Sequence, residues 1–328
     1  MEKRRLGHSG IEVSEVSLGC WTMGGPNWSQ GNPVGWADVD ESECIEAVHH
    51  ALDRGVNHFD NADVYGNGRA ERMLAKALGE RRKDVIVATK VGHFKGTAIN
   101  AYDPLHIRHQ CEQSLRNLNT DYVDVYYFHH GDFGEGDMYV DGAVEVANRL
   151  KDEGKIRAIG LSAYSDDDFT RLVPKIKPTA LQSWAHCMDD GFIRSGGAVQ
   201  KLLEAYDMAF VAFSPLNQGI LLGKYSSEKA PSFPEGDIRS SRDKFKADKL
   251  QAANVCIDQI KSMFGSSIEE MARVALQYVL AHDRVACVIP GFRNKRQVEC
   301  NLAAAGKPLS DAEVRTIRDI YEACPVGQ

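Results

Sequence analysis

The stretch 57-NHFDNADVYGNGRAE-71 reads as a strand end, a polar connection and a helix start. Gly66 and Gly68 let the chain turn between the two. The third glycine of a dinucleotide-binding fingerprint is missing and position 71 is Glu, so this is a turn and not a phosphate loop. One strand, one loop dense in functional side chains and one helix make a βα unit, and the rest of the chain repeats that grammar.

Short runs rich in Val, Ile and aromatic residues recur at 16-VSLG-19, 57-NHFD-60, 85-VIVATK-90, 122-YVDVYYFH-129, 156-IRAIGLS-162, 180-ALQS-183, 209-AFVAFS-214 and 285-VACVIP-290. Helix-period segments follow near 41–54, 69–79, 106–118, 140–152, 166–173, 195–206, 247–264 with 267–281, and 295–304, and a last one spans 310–323. Apolar strands separated by helices, with no composition break or linker, predict a closed (β/α)8 TIM barrel rather than two domains; a doubly wound sheet is the fallback. The whole chain, 1–328, is expected to be one domain. Residues 1–15 read as an N-terminal β-hairpin turning at 7-GHSG-10, which would plug the N-terminal end of the barrel. Segments 23–39 and 217–246 are long, Gly/Pro/Ser-rich and aperiodic, as loops over an active-site mouth are.

With 328 residues, 43% hydrophobic, and a net charge of −7, the chain is long enough for a large core and carries no basic stripe for nucleic acid or anionic lipid. Eight cysteines are scattered without a CxxC pair, which reads as reduced, packing thiols and not as a disulfide or zinc framework. No window approaches the roughly 18 consecutive apolar residues of a membrane span, and MEKRRLGHSG lacks the apolar core of a signal peptide. A cytoplasmic protein is expected, with no metal, nucleic-acid or membrane partner; the sequence allows an oligomer.

In a parallel barrel, strand C-termini and the loops after them face the catalytic mouth. Asp60 ends the second strand, Tyr65 lies in the loop beyond it, Lys90 ends the third strand and His129 the fourth. A tyrosine is a poor acid at neutral pH, but a neighbouring ammonium favours its phenolate, so Lys90 is expected to lower its pKa. Asp60 would keep Lys90 charged, and a neutral His129 would hydrogen-bond the reacting oxygen. Such a set suits carbonyl reduction.

The same residues carry a resemblance to a known family. FDNADVYG at 59–66, ATK at 88–90, DYVDVYYFHH at 121–130, GKIRAIGLS at 154–162, FSPL with GILLGKY at 213–225, and IPGFRN with Gln, Glu and Asn at 289–301 resemble the aldo-keto reductases, in their bacterial-type, potassium-channel-beta-like branch. The resemblance covers nearly the whole chain. It implies a catalytic tetrad of Asp60, Tyr65, Lys90 and His129 with Tyr65 as general acid, and NADPH as the preferred cofactor with NADH as the alternative. It also implies direct hydride transfer to an aldehyde or ketone. Ser162 and Gln182 would hold the carboxamide, Phe213 would stack on the nicotinamide, and the loop with Ser214, Leu216, Gly219 and Lys224 would cover the pyrophosphate. Gly291, Arg293, Asn294, Gln297 and Asn301 would take the adenosine end. An Arg293 placed against a 2′-phosphate is the physical ground for preferring NADPH.

Three departures from the family pattern stand out: Ala163 where Asn is frequent, Phe213 where Tyr is frequent, and Gly291-Phe292 where some members carry Lys-Ser. Trp21 and His130 are candidates for the substrate wall beside Tyr65 and His129, although each also has a plain packing role. The His129-His130 pair lacks the carboxylate spacing of a metal site. Two other functions share these residues: a nicotinamide-binding regulatory subunit, and an enzyme running physiologically as an alcohol or sugar dehydrogenase.

Overall fold

The computed structural model describes residues 1–323. An antiparallel hairpin, β1 (Lys3–Arg5) and β2 (Glu12–Ser14), precedes β3 (Leu18–Gly19), and a small ribbon, β4 (Trp28–Ser29) with β5 (Asn32–Pro33), follows in the first long loop. The main sheet continues with β6 (His58–Asp60), β7 (Ile86–Val91), β8 (Val123–Phe128), β9 (Ile156–Ser162), β10 (Ala180–Trp184), β11 (Ala209–Phe213) and β12 (Val285–Ile289). β3 and β6 to β12 form an eight-stranded sheet, parallel throughout and ordered as in the chain. Parallel bridges Val16–Val288 and Gly19–Gly291 close it, with Ser17 N donating to Val288 O at 2.9 Å and Gly19 N to Pro290 O at 3.0 Å. This is the (β/α)8 barrel.

Ten helices surround it among the described residues: α1 (Glu41–Asp53), α2 (Arg69–Leu78), α3 (Pro104–Leu118), α4 (Val140–Asp152), α5 (Asp166–Ile176), α6 (Ala198–Ala205), α7 (Ala247–Phe264), α8 (Ile268–Leu280), α9 (Lys295–Leu302) and α10 (Asp311–Glu322). Their ends follow local chemistry. The Asp103 carboxylate caps the Leu105 and His106 amides, so α3 starts at Pro104 and not at 106. Left-handed Gly196 and extended Gly197 delay α6 to Ala198, three residues after the expected start. α5 runs through Pro174 to Ile176, because burying Val173 and Ile176 outweighs the hydrogen bond that the proline removes.

The strand pleat divides the core in two. Tyr127, Val125, Ala158 and Val211 point into the barrel, whose floor is filled by Leu6, Ile11 and Val13 from the hairpin; Tyr126 and Phe128 point outward under the helices. Cys20, Cys44, Cys111, Cys187, Cys287 and Cys300 are buried free thiols. Cys256 is disulfide-bonded, which departs from the expectation of reduced thiols throughout.

The two long loops meet over the C-terminal mouth. Gly35 pairs with Asp237, Ile238 N donates to Gly35 O at 2.9 Å, and Ala37 N donates to Asp237 Oδ2 at 3.1 Å. The Arg239 guanidinium is held by Asp237 and lies against the rings of Trp36 and Phe233, 4.6 and 4.2 Å from their centroids. No helix among the described residues is long and apolar enough to cross a membrane, and none of their His, Cys, Asp and Glu side chains form a group of three or more placed to hold a metal ion.

Candidate active site

Asp60 reaches the mouth because it is the last residue of β6, and Lys90 because it lies near the end of the neighbouring β7. The register sets Asp60 beside Ala88 and Lys90 beside Tyr127. Lys90 is fully buried, and its ammonium pairs with Asp60 Oδ1, donates to Asn61 O at 2.6 Å and lies 3.3 Å from the Tyr65 hydroxyl. All three ammonium protons therefore have a partner, as burial of a charge requires. Asp60 is held from its other oxygen, Oδ2, by Gln182 Nε2 at 2.8 Å.

Tyr65 is brought in by a close approach of two loops. Gly66 is left-handed, φ 57°, and a Cβ there would stand 2.0 Å from Gly24 O. No side chain fits without moving one of the loops. Gly66→Ala is expected to lower kcat at least tenfold, by displacing the adjacent Tyr65. Its far-ultraviolet circular dichroism should stay that of the parent; an unchanged kcat would show that the contact does not position Tyr65.

The four tetrad candidates converge as the sequence predicts, but the electrostatics differ. Burial raises the Tyr65 pKa well above the ordinary tyrosine value, and the charges of Asp60, Cys20 and Asp63 push the same way. The expected lowering by Lys90 fails because desolvation of the phenolate outweighs it, with the Asp60 carboxylate adding to the rise. Tyr65 thus keeps its proton at neutral pH. His129 is held well below the ordinary histidine pKa, first by burial and then by His93, Lys90 and His130, so it is neutral. Since a lowered pKa is crossed only in acid, kcat/KM is expected to stay flat between about pH 5.5 and pH 8, without the limb near 6.5 of an ordinary histidine. A titration near that pH would mean that His129 carries charge in the working enzyme.

A cavity of about 1180 Å³ runs from the tetrad across the barrel mouth. Phe213, Ser214, Leu216, Gly219 and Lys224 line one side, and Gly291, Arg293, Asn294, Gln297 and Asn301 line the far end. At that end Gln297 Oε1 accepts from Arg293 N at 2.9 Å, Asn301 Nδ2 donates to Gly291 O at 3.2 Å, and Arg293 Nη1 donates to Ala37 O at 2.6 Å. Ser162, at the end of β9, is buried with its hydroxyl unpartnered. At Ala163 the backbone N–H donates to Gln182 O at 3.2 Å and the carbonyl accepts from Ser183 Oγ at 2.7 Å.

Trp21 lines the cavity beside Tyr65, ring centroids 6.2 Å apart and inclined by 30°, and its indole N–H donates to Val34 O at 3.0 Å. His130 is turned away from that cavity. Its Nδ1 accepts from Asp132 N at 3.1 Å, so Nε2 carries the proton and donates to Gly92 O at 2.9 Å; the ring borders a side cavity of about 410 Å³. Its neighbour His129 faces the mouth, because consecutive side chains alternate direction.

Several lining residues escaped the sequence reading. Arg239, Arg242 and Lys244 come from the second long loop, where the dense 239-RSSRDKFK-246 string was the available signal. Lys244 donates to Asn217 Oδ1 at 2.6 Å, and burial, with Arg242 adding to it, brings its pKa down to about 8. His93 and Tyr164, beyond the ends of β7 and β9, also face the cavity and have no motif to mark them.

A buried acid–lysine pair touching a protonated tyrosine, at one end of a long mouth cavity in a parallel barrel, is the arrangement of an oxidoreductase family. The model of the Aldo/keto reductase family matches residues 15–322. The chain belongs to that family. It is 28% identical over 333 residues to the uncharacterized oxidoreductase YqkF of Bacillus subtilis, covering 98% of this chain and 99% of that protein. It is 27% identical over 337 residues to the NADH-specific methylglyoxal reductase of Escherichia coli, covering 98% and 99%. Among solved structures, the holo form of aldo-keto reductase AKR11C1 from Bacillus halodurans superposes with a TM-score of 0.74 at 27% identity, over 98% of this chain and 96% of the other. As a member of this family, the protein is an NAD(P)H-dependent oxidoreductase, and the family acts on small carbonyl substrates with nicotinamide cofactors.

Proposed function

We propose that the protein, acting as one barrel domain in the cytoplasm, reduces an aldehyde or ketone to an alcohol with NADPH, Tyr65 serving as general acid assisted by Lys90, Asp60 and His129. The observation that carries this reading is the Lys90 ammonium, fully buried and shared between Asp60, Asn61 O and the Tyr65 hydroxyl. The substrate carbonyl oxygen would sit against the Tyr65 hydroxyl and the neutral His129 ring. As charge grows on that oxygen, Tyr65 releases its proton to it, and Lys90 stabilises the phenolate left behind. Asp60 keeps Lys90 protonated and in place, with Gln182 fixing Asp60 from the other side.

The residues present fit a dinucleotide. The unpartnered, buried Ser162 hydroxyl and the Gln182 amide would hold a carboxamide, and the Phe213 ring offers a stacking face. Lys224, which lines the cavity, would meet the pyrophosphate, and Arg293, with Asn294, Gln297 and Asn301, would hold the adenosine end. When bound, the reduced nicotinamide supplies the hydride that the carbonyl carbon receives. Trp21, stacked on Tyr65, would close the apolar side of the substrate chamber.

The test is to titrate the purified protein with NADPH and, separately, NADH by fluorescence, and then to add 4-nitrobenzaldehyde. Tight NADPH binding with aldehyde-dependent oxidation is expected; failure to bind either nucleotide would overturn the reading. Arg293→Met is expected to weaken NADPH binding about tenfold and to leave NADH binding within about threefold, since a guanidinium–phosphate contact is a charge-assisted hydrogen bond. Equal loss for both nucleotides would remove the preference for NADPH.

A further inference from the structure

The loop after β10, residues 185–197, carries His186 and Asp189 into the cavity, with Trp184 at its root. Its inner side is a tight turn. His186 N donates to Asp189 O at 3.0 Å, Asp189 N to His186 O at 2.9 Å, and the Trp184 indole N–H to Asp189 Oδ2 at 2.7 Å. The next residue, Asp190, turns away from the cavity into a polar cluster that the proposed chemistry leaves unused. Its Oδ1 accepts from Arg194 Nη2 at 2.6 Å and Nε at 3.1 Å, and its Oδ2 from the Tyr278 hydroxyl of α8 at 2.7 Å. Arg318 of α10 meets the same carboxylate, with Nε 3.4 Å from Oδ2 and Nη2 3.0 Å from His282 Nε2. A guanidinium only donates, so His282 accepts at Nε2 and donates from Nδ1 to Tyr278 O at 2.9 Å. Burial, the largest influence, keeps this imidazole below the ordinary histidine pKa and so neutral at pH 7. Glu322, one turn beyond Arg318, pairs with Arg194 Nη1 at 2.8 Å.

Asp190 is 4% exposed, and an anion so buried depends on the groups that donate to it. Burial alone would raise its pKa, but the Tyr278 hydroxyl and the Arg194 guanidinium outweigh that effect and hold the carboxyl below the ordinary aspartate value. On α10, Ile317 and Tyr321 are packed in the core, so Arg318 reaches Asp190 from a fixed support. We propose that α10 braces the cavity wall through this contact, making Asp190 and Arg318 positioning residues for the loop that carries His186 and Asp189. The inference rests on the function proposed above, which assigns the braced wall to the substrate and nicotinamide end; there Trp184 lies beside Phe213, ring centroids 6.4 Å apart. Neither Asp190 nor Arg318 lines the cavity. Loosening the brace lowers the fraction of molecules whose wall is in place, and apparent affinity falls with that fraction. The tetrad, carried by β6, β7 and the segments that follow β6 and β8, works unchanged in the molecules that bind.

Hydrogen–deuterium exchange and steady-state kinetics of Arg318→Met test this. The amides of His186 and Asp189 are expected to exchange about tenfold faster than in the parent, while those of β8 stay within about twofold. KM for 4-nitrobenzaldehyde is expected to rise about fivefold with kcat within about twofold, the pattern of lost binding without lost chemistry. Arg318→Lys, which keeps a charge for Asp190 but loses the fork that also reaches His282, should fall between, and it carries the test if the methionine variant does not fold. Exchange that quickens in β8 as much as in the loop would show a general loss of stability and overturn the positioning role, as would faster loop exchange with KM unchanged. Loop exchange equal to that of the parent would overturn the brace and leave the reductase reading standing. A parent protein that binds neither nucleotide and reduces no aldehyde would take both down.

Discussion

Tyr65→Phe is expected to lower kcat for carbonyl reduction by about 10³-fold, within the range that a positioned general acid contributes. Cofactor binding should stay within about twofold, because the phenol oxygen, 3.3 Å from Lys90 Nζ, lies at the proposed reacting end of the cavity and not along the walls proposed to hold the dinucleotide. Fold stability should change little, since the ring packing against Trp21 is retained. The raised Tyr65 pKa makes the result sharper, because the phenol holds its proton at neutral pH. Single-turnover oxidation of NADPH would measure the loss at the chemical step. A rate within about tenfold of the parent would mean that another group protonates the alkoxide.

Lys90→Met is expected to act on both activity and stability. The ammonium is fully buried and its partner Asp60 only 2% exposed, so removing one charge strands the other in a low-dielectric site. Breaking such a pair costs about 3–5 kcal/mol, measurable as a lower urea midpoint at unchanged slope. Gln182, which still donates to Asp60 Oδ2, holds the loss toward the lower end of that range. The Asp60→Asn, Lys90→Met double variant should be more stable than the sum of the two single losses predicts, because no charge is then left alone. Its activity should remain as low as that of Lys90→Met, since neither variant can stabilise the Tyr65 phenolate. Additive stability losses would show that the two groups do not depend on each other.

Much of this site was legible in the chain. Asp60, Lys90 and His129 end apolar runs whose length and spacing mark them as barrel strands, and the barrel rule then places all three at one mouth. Tyr65 follows from the same rule, one loop after Asp60. The charge state was not legible: a lysine near a tyrosine suggests a lowered pKa, but burial of the ring, with the Asp60 carboxylate beside it, reverses the sign. His130 illustrates a second limit. Its position next to His129 suggests a shared role, whereas the pleat turns it toward Gly92 and Asp132.

Local periodicity and turn chemistry were enough for the parallel barrel and the capping hairpin, and the resemblance of motifs at the strand ends for the family, because those depend on residues within a few positions of one another. What depended on closure in three dimensions was who meets whom across the mouth. Gln182 reaches Asp60 from 122 residues away, and Arg293 reaches back 256 residues to Ala37 O. Arg239 and Lys244 enter the cavity only because Gly35 and Asp237 pair two loops that have no periodicity of their own. His93 and Tyr164 become a pair only when β7 and β9 are set on either side of β8, bringing both loops against the His129 ring. Strand and helix patterns are properties of short segments; protonation and substrate contacts are set by charges and surfaces that only the closed barrel brings into range.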